Sequence, residues 1–272
     1  MSATQVMAWE RYERWLKSSA SYSPVTISGY VCIARQYDEM ARGDYSIDTI
    51  TQFLSRYQDE RSVNFAKAAL KSFLRFVGRH DLAAMLRTRR IVKELEWWWT
   101  KDEIRRIIEA CEDDRELIMV TFGYFQAMRR KEIASVHVSD IDFENERVRV
   151  RLAKRGPGVH FSVRSLYRRN EFGIDQVELL RRYITSRALK PSDRLLPITT
   201  VRMNQIFRDV VERAGVRPAG LHMLRHSRIA HLREAGVELD VIARWIGHTS
   251  LDTTMLYAHI GPQKMSELIP VP

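Results

Sequence analysis

A chain of 272 residues, 45% hydrophobic and 29% charged, has enough apolar side chain for a sizeable core and fits one large domain or two smaller ones. Its net charge of +10 points to a polyanionic partner, nucleic acid before membrane. Two distant cysteines, Cys32 and Cys111, exclude a disulfide framework and a zinc cluster, and no run approaches the roughly 18 apolar residues of a membrane span. Met1 to Trp15 carries charge at Glu10, Arg11, Glu13 and Arg14 and lacks a secretory apolar region. The expectation is a soluble, cytoplasmic protein.

In chain order, Val6, Trp9, Tyr12, Trp15 and Leu16 recur at helical spacing and predict a first helix over 4–18. Ser23-Pro24 reads as an N-cap with proline at the first helical position, opening a helix to about Ala41. Ile47 to Tyr57 predicts a third helix. Ser62 to Val77 predicts a fourth, with Phe65, Ala69, Phe73, Leu74 and Val77 inward, and His80 to Leu86 a short fifth. These helices make a small domain over residues 1–90. Residues 1–93 hold 15 Lys and Arg against 9 Asp and Glu, so the smaller domain is the more basic per residue, as gripping a phosphate backbone requires.

Residues 91–99 read as a linker. Arg87, Arg89, Arg90 and Lys93 form a basic strip suited to crossing DNA, and Trp97-Trp98-Trp99 follows, at least one of which should pack between domains or at the mouth of the second. Thr100 and Glu103 form a capping box that opens residues 100–272. Helices are predicted from there and over Leu117 to Phe125. After Asp140 the period changes to two: Ile141 to Phe143, Arg147 to Leu152 and Val159 to Val163 predict a three-stranded antiparallel sheet with a turn at Lys154 to Gly158. Helices resume over 173–186, 200–214, 220–231, 237–246 and 252–258. The fold class is mainly α with a small three-stranded sheet.

Cutting DNA without a metal requires fixed cations for the charge that grows on the non-bridging oxygens, a nucleophile, and an acid for the leaving oxygen. Arg225 and Arg129 suit the first task, because a guanidinium forks onto two phosphate oxygens and stays charged. His222 lies three residues before Arg225, on the same helix face. His248 sits at a turn, Tyr257 offers a phenol nine residues later, and Lys154 at a hairpin tip offers an acid for the 5′-oxygen. His222 and His226 stand at i, i+4 but lack the acidic residue and third ligand of a metal motif, so no metal or other cofactor is expected. His226 and His231 read as packing or capping groups.

Together these boxes resemble those of the tyrosine recombinases, the phage integrase and Xer family. That family's Gly-Leu-Arg-x-x-Glu-Leu stands here as Ala127-Met128-Arg129-Arg130-Lys131-Glu132-Ile133, and its Gly-Lys-Gly hairpin as Ala153-Lys154-Arg155-Gly156. His-x-Leu-Arg-His-Ser/Thr is unaltered at His222 to Ser227. Leu-Gly-His becomes Ile246-Gly247-His248, and Thr-Thr-x-x-Tyr becomes Thr253 to Tyr257. The resemblance is firm over 97–260 and rests on layout alone before that. It implies a core-binding (SAM-like) helical domain and a catalytic domain clamping DNA between them. It further implies that Arg129, Lys154, His222, Arg225 and His248 surround the scissile phosphate, that Glu132 supports them, and that Tyr257 attacks. The product would be a 3′-phosphotyrosyl intermediate, formed and resealed without metal or ATP. Arg130, Lys131 and Arg155 join the linker basics as DNA contacts. Double-stranded DNA and three further copies of the chain are the implied partners, with Met265, Leu268 and Ile269 of the tail as contacts between copies. Arg130-Lys131 replaces an apolar-small pair of the family, and Pro157 is atypical of its hairpin. The rival readings are a helix-turn-helix regulator over Val241 to Ile260, without catalysis, and an enzyme like the type IB topoisomerases.

Overall fold

The computed structural model describes residues 7–18, 22–88, 96–152, 160–247, 255–257 and 260. The chain divides into two compact units, Met1–Val92 and Lys93–Pro272.

The regular elements among the described residues of the first unit are all helices: α1 (Ala8–Ser18), α2 (Pro24–Ala41), α3 (Ile47–Leu54), α4 (Glu60–Phe76) and α5 (His80–Met85). The local signals act as read. The Ser23 hydroxyl accepts from the Thr26 N–H and Pro24 takes the first turn of α2, while Ser46 and Thr49 form a capping box for α3. Tyr12, Leu16, Tyr37, Phe53, Leu70 and Phe73 are fully buried between the helices. One inward assignment on α4 is corrected. Phe65, expected in the core, is 45% exposed. The buried stripe is Ala66, Ala69, Leu70, Phe73 and Leu74, which keeps helical spacing without position 65. Phe65 instead lies across Gly29, where an added Cβ would come within 2.7 Å of its ring.

The second unit opens on tryptophans. Trp99 is fully buried; its backbone N–H donates to Ser227 Oγ at 3.1 Å and its indole to the Arg217 carbonyl at 3.0 Å. Trp98 donates to Glu234 at 3.1 Å. The end of the stretch expected as linker is thus fastened to the second unit, while 91–95 lie outside the described residues. The unit continues with α6 (Lys101–Glu109), opened by the Thr100–Glu103 capping box, α7 (Asp114–Tyr124) and α8 (Arg130–Ala134). Strands β1 (Ile141–Asp142), β2 (Arg147–Leu152) and β3 (His160–Ser165) follow, then α9 (Gln176–Ser186), α10 (Thr200–Arg213), α11 (His222–Glu234) and α12 (Leu239–Ile246). Of the helix expected over 252–258, a 3-10 turn at Met255–Tyr257 is described.

The sheet is antiparallel in the order β1-β2-β3, with Val148 opposite Arg164 and Val150 opposite Ser162. The alternation read in β2 holds: Val148 and Val150 are fully buried and Arg147, Arg149 and Arg151 face outward. β3 inverts it. Its apolar residues Phe161 and Val163 are 41% and 58% exposed, and Arg164 is 1% exposed. The unit has two apolar clusters. The larger gathers α6, α7, α9 and α10 with the sheet. The smaller packs Ala127, Ile229, Ala230, Ile242, Ile246, Tyr257 and Ile260 together, and the site lies along it.

Candidate active site

Arg129 stands immediately before α8, in extended conformation. Its backbone N–H and its guanidinium Nη1 each donate to the Glu132 carboxylate at 2.8 Å. The Glu132 side chain is fully buried and that of Arg129 is 27% exposed, so the carboxylate fixes the arginine while its fork stays open to a ligand. Glu132 also lies 3.7 Å from Arg225 Nη1. Arg225, one turn into α11, donates to the carbonyls of Ala127 and, at 3.4 Å, of Ile246. Ala127 has φ +47°, a left-handed conformation that glycine adopts at less cost. It is the position where the resembled motif has glycine. The strained turn is held by its neighbours: the Met128 N–H donates to the Phe122 carbonyl at 3.1 Å, and Arg225 takes the Ala127 carbonyl.

A third guanidinium completes the cluster. Arg164 donates from β3 to the Gln126 carbonyl and, at 3.3 Å, to the Ile246 carbonyl, and its guanidinium lies over the Trp245 ring. Burial pulls Arg164 down to about 10, Glu132 pulling the other way and Arg129 adding to the fall. Burial, reinforced by the like charge of Arg129, pulls Arg225 down to about 9. Both remain protonated at neutral pH. Three arginines around one buried carboxylate leave an excess of positive charge, a setting that favours an anion.

Tyr257 is 2% exposed. Burial pushes its phenol well above the ordinary range, against the opposing pull of Arg225 and Arg129, so it is protonated at neutral pH. Its hydroxyl meets Nδ1 of His226 in a short hydrogen bond. Burial and then the Arg225 charge bring His226 down to about 4; the ring is neutral near pH 7, so its Nδ1 can accept the phenolic hydrogen bond. The His222 ring stands nearly perpendicular to that of His226, with centroids 4.7 Å apart. His222 is exposed and borders a cleft of about 390 Å³ with Arg129, Arg130, Lys131 and Asn204.

The structure therefore brings together Arg129, Glu132, Arg225 and Tyr257, with His222 at the rim. Arg130 and Lys131 line the same cleft, and Arg87 is exposed in the first unit. Lys154, His248, Arg89, Arg90, Lys93, Arg155, Met265, Leu268 and Ile269 lie outside the described residues. Two members escaped the sequence reading. His226, taken for a packing or capping group, holds the phenol instead. Arg164 had no motif; the sole trace of it is a strand whose apolar residues sit at the outward positions.

The model of the phage integrase family matches residues 98–264. A tyrosine recombinase XerA of Thermococcus onnurineus is 30% identical over 92% of this chain and 90% of its own. A tyrosine recombinase XerC of Lactobacillus delbrueckii subsp. bulgaricus is 25% identical over 94% of this chain and 95% of its own. Among solved structures, a lambda integrase tetramer bound to a Holliday junction superposes with a TM-score of 0.70, at 19% identity, over 100% of this chain and 82% of that one. The XerH site-specific recombinase bound to difH, in a pre-cleavage complex, gives a TM-score of 0.69 at 19% identity, over 97% and 84%. Both likenesses are of fold.

Proposed function

The chain belongs to the phage integrase family of tyrosine recombinases, and from that premise we propose that it cuts and rejoins double-stranded DNA at a specific site with Tyr257 as nucleophile. The observation that carries the reading is the convergence of Arg129 and Arg225 on Glu132, with the buried Tyr257 phenol within the field of both arginines. Tyr257 Oη attacks phosphorus as the bond to the 5′-oxygen breaks. The phenolic proton passes along its hydrogen bond to His226 Nδ1, a ring made more basic once the phosphate offsets the Arg225 charge that lowers it, and the 5′-oxygen takes a proton from Lys154. Arg129 and Arg225, with His222 and His248, meet the charge that develops on the non-bridging oxygens. The 3′-phosphotyrosyl ester keeps the energy of the phosphodiester, so the reverse step reseals the strand without ATP. Exchange between two duplexes needs four such sites. We assign them to a tetramer on DNA, with Met265, Leu268 and Ile269 as contacts between copies, and place the protein in the cytoplasm. The more basic first unit, with Arg87, Arg89, Arg90, Lys93, Arg130, Lys131 and Arg155, holds the phosphate backbone.

The rival regulator reading leaves Arg129, Glu132, Arg164 and Arg225 without a task, and the tyrosine recombinase relatives do not favour the type IB topoisomerase reading. The test has two steps. DNA captured by the Tyr257→Phe protein supplies the target, and a nicked duplex of that sequence then traps the covalent adduct on a denaturing gel. Wild type forms the adduct and Tyr257→Phe does not; an adduct with Tyr257→Phe would remove this tyrosine as nucleophile. Arg225→Ala is expected to slow adduct formation by about 10²–10³, the loss typical of one oxyanion donor, with little change in binding. Equal losses in rate and affinity would reduce Arg225 to a phosphate anchor.

A further inference from the structure

Binary patterning predicts Phe161 and Val163 inward on β3, yet Arg164 is the residue turned to the core. The inversion is costly. Two apolar side chains are left in water, and only the Phe161 ring gains cover, from Arg149 and Arg151, whose guanidiniums lie 4.9 and 5.7 Å from its centre. Among the described residues, the cation so placed in the interior has no carboxylate in salt-bridge contact and its Nε finds no partner. Departures of this kind from local rules concentrate at functional sites.

The side chain has a specific task. Arg164 and Arg225 enter from different elements and take consecutive carbonyls, Gln126 and Ala127, of the turn that leads to Arg129. Their other ends converge on one carbonyl, that of Ile246, at 3.3 and 3.4 Å. Ile246 ends α12 two residues before His248. The β3 side of this brace is itself fixed, because the Gln126 amide donates to the Ser165 carbonyl at 2.8 Å and exchanges 3.0 Å hydrogen bonds with Gln176.

We propose that Arg164 is a positioning residue of the recombination site: paired with Arg225, it ties the turn that presents Arg129 to the end of α12, from which the chain runs on to His248 two residues later. This rests on the reading of Arg129, His248 and Tyr257 given above. A guanidinium suits the task because its two terminal nitrogens reach carbonyls on separate elements; the N–H groups of an ammonium or an amide spring from a single nitrogen and do not span that fork. The consequence is confined to the groups that meet charge on the non-bridging oxygens, since those are what the brace holds.

The test compares two nicked duplexes of the captured site, one with an ordinary scissile phosphodiester and one with a methylphosphonate there, which removes the charge those groups stabilise. Each variant is scored against wild type on the same duplex. On the phosphodiester, Arg164→Met is expected to lose about 10²-fold in adduct rate, the scale of a misplacement of about 1 Å, with DNA affinity unchanged. On the methylphosphonate it should lose a few-fold at most. If Arg164→Met does not fold, as judged by thermal melting, Arg164→Lys carries the test, with a smaller loss of the same selectivity. Equal losses on both duplexes would make Arg164 a support of the fold alone, and no loss on either would remove its role; each result overturns the proposal. A wild-type protein that forms no adduct overturns the recombinase reading first, whereas a normal wild-type adduct beside a fully active Arg164→Met overturns this inference alone.

Discussion

Charge at the level of single residues explains why Glu132 stands among three arginines. Arg225 and Arg164 are each 1% exposed and Glu132 is equally buried. Without a carboxylate the interior would hold uncompensated cations, at a cost of several kcal/mol. With one, the site remains positive by the arginines in excess. Glu132 thus stabilises the empty protein while leaving charge for the phosphate. Glu132→Gln should destabilise the DNA-free protein by about 3–5 kcal/mol, as breaking a buried pair does, measured by urea unfolding. The same variant should gain more thermal stability than wild type from inorganic sulfate, because a bound anion replaces the lost charge. Equal sulfate shifts in the two proteins would show that the arginines do not share one anion site.

Among the elements, α11 concentrates the site and also a pH sensitivity. It carries His222, Arg225, His226 and His231 within three turns. His231 accepts or donates at Tyr124 across 2.9 Å and sits among Lys101, Glu171 and Arg228; burial brings it down to about 4, as it does His226 beside Arg225 and Tyr257. A ring whose folded pKa is depressed stabilises the fold fully above the ordinary histidine value near 6.5 and loses that contribution as pH falls toward about 4. Each ring contributes on the order of 3 kcal/mol across that window. Unfolding free energies of wild type should therefore drop between pH 6.5 and 5, and His231→Gln should flatten part of the drop; an unchanged slope would mean that the ring is protonated in the folded state. How legible an element was depended on how local its determinants are. The caps of α2 and α6 sit within three residues of their partners, so Ser23-Pro24 and Thr100-Glu103 could be read directly. Phe65 misled because the stripe beside it satisfies helical spacing without it. The inward turn of Arg164 and the bond from His226 to Tyr257 depend on residues 82 and 31 positions away, and no window of sequence contains them.

Over the whole molecule, the distribution of charge decides more than its sum. The chain carries +10, but many of its cations are spent locally: Lys17 pairs with Glu13 at 2.7 Å, Arg182 with Asp114 at 2.6 Å and Arg244 with Asp240 at 2.8 Å. Such surface pairs add little to stability and little to the long-range field. Arg130 and Lys131 differ. They line the cleft beside Arg129 and His222, where a phosphate backbone entering the site would pass. Each phosphate neutralised releases counterions, so affinity falls with salt at a slope of about −0.9 per contact. Neutralising both in the Tyr257→Phe background, as Arg130→Gln with Lys131→Gln, should therefore make the slope shallower by about 1.8. Lys17→Gln, which removes the same kind of charge from a local pair, should leave it unchanged. Binding isotherms on the captured duplex across a salt series give both numbers. A slope that responds equally to Lys17 would mean that DNA senses the net charge of the chain rather than a cleft that leads it to Tyr257.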